Sequence, residues 1–233
     1  RRIRTTVAST EYVIGPNVPL RAAFILKPES EILGHLEEIL EDAITSHYEK
    51  CIRGNVDETD LITALGESAD QRFRLRYIVS EEHLADAAQA IKHNIISKIS
   101  SLLEHKELSP QSRGPVIEWE LKRSLNTEFL STRNMLSDAV KARVREVCSL
   151  PNNQPLPEIV HFNGNTNEIQ SFIHQVKKFL GTTNSISPVI ERSRISGNII
   201  APWLPQDLEL IIIDSEGIGH NLQDQTLSSR HFD

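Results

Sequence analysis

Residues 208–220 read LELIIIDSEGIGH. Leu208 to Ile213 is the most apolar strand-like run in the chain. Its three consecutive β-branched isoleucines favour a strand buried on both faces. The run stops abruptly at Asp214, and Ser215-Glu216-Gly217-Ile218-Gly219 follows. In open α/β sheets ligands collect beyond the carboxyl ends of strands. An Asp at that point is well located to hold a divalent cation, directly or through water. A glycine three residues later lets the backbone approach a phosphate closely enough for its N–H to donate. The chain has only 10 glycines, so the pair Gly217 and Gly219 carries more weight than two glycines usually do.

Working outward, residues 188–200 (PVIERSRISGNII) are β-branched with alternating charge and read as an edge strand. Residues 201–206 carry two prolines and make a turn, so 188–213 reads as an antiparallel strand pair. At the other end, residues 5–14 (TTVASTEYVI) suit a strand, Gly15-Pro16-Asn17 a turn, and 20–27 (LRAAFILK) a second strand, giving a hairpin or near-hairpin. Between these ends the pattern turns helical. Ile32, Leu36, Ile39 and Ala43, with Leu33, Leu40 and Ile44, form a stripe on a helix running to about Cys51. A short helix is predicted over 57–65, ending at Gly66. Residues 72–79 (RFRLRYIV) alternate and suggest a strand with one charged face, with a helical start as the alternative. A long helix from Glu81 to about Leu108 packs through Leu84, Ala88, Ile91, Ile95, Ile99 and Leu102. Pro110–Pro115 is a break, 116–121 a strand or a helix start, and 127–149 a helix with Leu136, Val140, Val144 and Val147 aligned. PNNQPLP at 151–157 is a stiff connector. The last helix, 166–180, aligns Ile169, Ile173, Val176 and Leu180, with Phe172 and Phe179 beside them and Gly181 as its stop.

LELIIIDSEGIGH resembles the strand and D-x-x-G element of P-loop GTPases. Its E-G-x-G form is most similar to the version found in dynamin-like and guanylate-binding GTPases. The strand–turn–strand before it resembles the antiparallel pair that leads into that element, and Arg4-Thr5-Thr6 resembles switch I. The resemblance implies a partial P-loop GTPase-type α/β sheet built from the two ends of the chain. Residues 1–28 would supply the switch I-like segment and sheet strands, 29–185 a large mainly helical insertion, and 186–233 the strand pair and D-x-x-G segment. It implies GTP and Mg²⁺ as ligands, with Thr6 (or Thr5, the register being open) and Asp214 toward the metal and Thr6, Asp214 and Gly217 toward the nucleotide. It assigns no catalytic residue to this chain. It also implies homodimerisation through the G domain, and a protein partner for the helical insertion. Two family patterns are absent: the sequence contains no G-x-x-x-x-G-K-[ST] and no N/T-K-x-D. Both chain ends read as cut, and the missing elements are expected outside this window. The piece alone is therefore expected to be inactive, since the P-loop supplies most phosphate contacts. Two alternatives stand beside this: a non-catalytic helical adaptor that binds protein partners, and a P-loop ATPase fragment with Asp214-Ser215-Glu216 as a Walker B element.

Composition narrows the field. The 233 residues are 39% hydrophobic, 24% charged and 5% aromatic, which describes a folded chain with a Leu/Ile/Val core. A net charge of −7 argues against a general nucleic-acid binder. No apolar run approaches the roughly 20 residues of a membrane-spanning helix. Two cysteines, Cys51 and Cys148, make neither a disulfide framework nor a zinc site, which suits a reducing, cytoplasmic setting. The 9 histidines show no H-E-x-x-H, and His220 reads as a loop residue. Glu37, Glu38, Glu41 and Asp42 read as a solvated acidic helix face. Arg72, Arg74 and Arg76 read as ion-pair donors beside Phe73 and Tyr77, and Arg192 and Arg194 as guards of an exposed strand edge.

Overall fold

A computed structural model describes residues 8–54, 57, 59–67, 73–103, 109–181, 183–198, 205 and 208–214. The chain divides into two units. One is Arg1–Pro28 with Arg145–Asp233, and the other is Glu29–Val144.

The first unit is a five-stranded mixed sheet. Its strands are β1 (Ser9–Ile14), β2 (Arg21–Leu26), β3 (Ile159–Asn163), β4 (Ile190–Gly197) and β5 (Leu210–Asp214), in the order β3-β2-β4-β1-β5. β1 runs parallel to β4 and antiparallel to β5, while β2 is antiparallel to both β3 and β4. All four strands expected from the chain ends share this sheet, but not as neighbours in sequence. β4 lies between β1 and β2, so the expected hairpin does not form. β1 lies between β4 and β5, so the expected strand pair is not contiguous either. β4 is also central, not an edge. Its alternating charge marks a polar sheet face, where Arg194 Nε donates to Glu11 at 2.8 Å.

Strand alternation gives the sheet two distinct faces. One carries Ala22, Phe24 and Phe162 and packs against a helix, Ile169–Leu180. Phe24 is fully buried, stacked on Phe179 at 4.2 Å and on Phe162 at 5.7 Å between ring centroids. That helix buries Phe172 and Phe179, whereas Ile169 and Ile173 from the expected stripe stay exposed. The two phenylalanines lie seven residues apart, two turns, and aromatic rings bury more area than the Ile stripe beside them. Gly181 follows the last turn of the helix, at a position where a Cβ would sit 2.5 Å from the Lys177 carbonyl oxygen. β3 arises from 145–185, the stretch read as helical and connector, so this stretch contributes to the sheet unit.

The second unit is helical. Its elements are α1 (Glu29–Ile52), α2 (Asp60–Gly66), α3 (Leu75–Ile78), α4 (Glu81–Ala90), a π-helical turn (Ile91–Ile96), α5 (Ser97–Leu103), α6 (Pro110–Arg123) and α7 (Asn126–Cys148) up to Val144. The Ile169–Leu180 helix is α8. α1 buries Ile32, Leu36, Ile39, Leu40, Ala43 and Ile44. Residues 73–79 take the helical alternative: Leu75–Ile78 closes a single helical turn that buries Leu75 and Ile78. Arg76 pairs with Glu67, and the Arg74 and Arg76 guanidiniums lie 5.9 and 5.5 Å from the Tyr77 ring centroid.

The long helix is interrupted by the π turn, and the burial pattern explains why. Ala87, Ile91, Ile95, Ile99 and Leu103 are buried in steps of four. An α-helix repeats every 3.6 residues, so a stripe of fours drifts off its face unless the helix widens locally. The wider turn brings Leu103 inward and leaves Leu102 39% exposed, against the expected stripe. The Pro110–Pro115 break is likewise helical. Pro110 opens α6, where an N–H has no partner anyway, and Pro115 forfeits one intrahelical bond. The acidic residues of α1 are not simply solvated. Glu37 pairs with Arg133 of α7, and Glu41 lies 3.4 Å from Lys122 of α6.

No helix among the described residues is long and apolar enough to cross a membrane.

Candidate functional site

Asp214 closes β5 opposite Thr10 of β1. Antiparallel pairing brings the start of β1 and the end of β5 to one end of the sheet. Directly opposed residues share a face. Thr10, Tyr12, Ser193 and Asp214 therefore lie on the face that carries Phe24, since Thr10 pairs with Ser193 and Ser193 with Phe24.

Two of these side chains lock the strands behind Asp214. Ser193 Oγ donates to Thr10 Oγ1 at 2.8 Å, and Thr10 Oγ1 donates to the Ala8 carbonyl at 3.3 Å. Thr10 is 2% and Ser193 0% exposed. Buried hydroxyls are costly without partners, so this relay holds the β1–β4 pairing in register. Tyr12 sits diagonally from Asp214. Burial pushes its phenol pKa up, and the Asp214 carboxylate adds to the rise.

β5 departs from the expectation of a buried strand. Leu208, Ile211, Ile212 and Ile213 are 52%, 57%, 47% and 62% exposed. Among the described residues no strand pairs with its outer side, so Ile211 and Ile213 on one face and Ile212 on the other lack cover. Asp214 itself is exposed. Thr5, Thr6 and Gly217, the other expected site residues, lie outside the described residues, as do Arg72 and His220.

A carboxylate is a hard oxygen donor of the kind Mg²⁺ prefers, and Mg²⁺ commonly takes one or two carboxylates with phosphates and water. Asp214 fits one such position. Among the described residues no three His, Cys, Asp or Glu side chains converge into a metal-binding group. Sequence reasoning missed Thr10, Tyr12 and Ser193. They become visible only with the register, because the β1–β4 contact joins residues 183 positions apart.

No protein-family model, curated protein or solved structure matches this chain.

Proposed function

We propose that this chain is part of the G domain of a large GTPase of the dynamin-like or guanylate-binding type. It supplies the switch I-like segment and the D-x-x-G element. In the full-length protein Asp214 and Thr6 serve a magnesium ion, and Gly217 serves the γ-phosphate of GTP. The observation that carries the reading is the β1–β5 pairing. β1 is entered and β5 is left at the same end of the sheet, with Thr10 opposite Asp214. A switch threonine and a D-x-x-G carboxylate that share a cation need those two strands side by side. The sheet's composition adds support, since it joins strands from both ends of the chain around a helical stretch.

The test is Mg²⁺-dependent hydrolysis by the full-length protein, with GTP and ATP compared. The reading expects GTP turnover that Asp214→Ala lowers by roughly a hundredfold, in keeping with the several kcal/mol a metal contributes at a transferring phosphoryl group. Preference for ATP would favour the ATPase alternative. Absence of any nucleotide turnover would favour the adaptor reading, which has its own support in the exposed Ile169 and Ile173 of α8.

A further inference from the structure

The other face of the sheet, at its opposite end, holds an open cleft of about 580 Å³. That volume lies within the range of small-molecule sites. The cleft follows from the register. Asn163, Arg21 and Ser196 form one row across β3, β2 and β4, and His161, Ala23 and Arg194 form the next. Ala23 is the short side chain between two long ones, so it makes a floor with His161 and Arg194 as walls.

Of the two guanidiniums beside this floor, one is already paired. Arg194 is held by Glu11. Arg21, His161 and Asn163 make no side-chain hydrogen bond or ion pair among the described residues. Glu209 stands at the rim, on the far side of β1 from Arg21. The hollow thus holds two guanidiniums and an imidazole, with Glu11 committed to Arg194 and Glu209 across β1 from Arg21. A guanidinium presents paired N–H donors that match the oxygens of a phosphate or carboxylate. Asn163, one position across from Arg21, adds a neutral donor, and Val13 and Pro19 supply apolar wall for the body of a molecule.

We infer that this cleft binds a small organic oxyanion, with a phosphate or carboxylate head held by Arg21, His161 and Asn163 and an apolar body over Ala23. The site is separate from Asp214, on the opposite face and at the other end of the sheet, and does not depend on the GTPase reading.

Calorimetric titration of the full chain with phenyl phosphate, benzoate and inorganic phosphate tests it. Saturable binding of phenyl phosphate or benzoate is expected, and which of the two binds tighter identifies the head group. Arg21→Ala should weaken that binding roughly tenfold or more, as expected for a lost charge-assisted contact. Arg21→Lys should recover only part of it, because the charge returns without the paired geometry. Lys178→Ala on α8 should leave it unchanged, and circular dichroism should show each variant folded. The inference is overturned by absence of saturable binding with both organic probes, by Arg21→Ala binding as tightly as the parent, or by inorganic phosphate binding as tightly as phenyl phosphate.

Discussion

Replacing Thr10 by Val tests the hydroxyl relay behind Asp214. Valine keeps the branched shape and the strand preference of threonine and removes only the hydroxyl. Two partners then fail together. Ser193 Oγ loses its acceptor at a fully buried position, and the Ala8 carbonyl loses a donor. An orphaned buried polar group costs about 1–3 kcal/mol. Ser193→Ala is gentler, because Thr10 keeps its bond to Ala8, and about 0.5–1.5 kcal/mol is the ordinary worth of the one bond lost. In the double variant no hydroxyl is left stranded. Its cost should fall short of the sum of the single costs by at least about 0.5 kcal/mol. Urea unfolding followed by circular dichroism, run as a double-mutant cycle, measures all three values. Equal single costs with additive behaviour would refute the relay and, with it, the β1–β4 register that places Thr10 across from Ser193.

Other consequences can be checked separately. Phe24→Ala empties a fully buried site between Phe179 and Phe162, and should cost about 3–5 kcal/mol in urea unfolding. Burial lowers the pKa of His47, as do Lys92 and Lys50, against an opposing pull from Asp60. The folded state thus holds His47 neutral while the unfolded chain takes up a proton. Its contribution to stability is complete above about pH 6.5 and is lost as pH falls from there through the lower folded value. His47→Gln should flatten the stability profile in that window, which thermal melts between pH 5 and pH 8 would show. The Cys148 thiol is pushed up to about 11 by burial. Its thiolate fraction at pH 8 is then on the order of one in a thousand, and iodoacetamide should label it far more slowly in the native protein than in urea.

Helical stripes were the most legible feature of the sequence, because the spacing that predicts them also buries them. Ile32, Leu36 and Ile39 of α1 and Leu136, Val140 and Val144 of α7 are buried as their periodicity suggests. The exceptions have local causes. Leu102 gives way to Leu103 because steps of four need a π turn, and Ile169 and Ile173 give way to Phe172 and Phe179 because the rings reach the sheet. Strand order was not legible. β1 and β4 pair across most of the chain, and nothing local in STEYVI or IERSRISG names a partner. The same gap hid Ser193 and made Arg194 look like an edge guard. β3 escaped notice because IVHFN is short and follows a proline-rich stretch. Of the candidate site, Asp214 was legible from an apolar run that ends in an acid, whereas its neighbours Thr10 and Tyr12 required the register.

The central claim is that Asp214 serves a nucleotide-bound magnesium ion. Titrating Mg²⁺ into the full-length protein with saturating GTP, for the parent and for Asp214→Asn, tests it most directly. Asparagine keeps the size and drops the charge, so the half-saturating Mg²⁺ concentration should rise roughly tenfold or more, as for a lost charged contact. Superimposable Mg²⁺ curves for the two proteins would contradict the account.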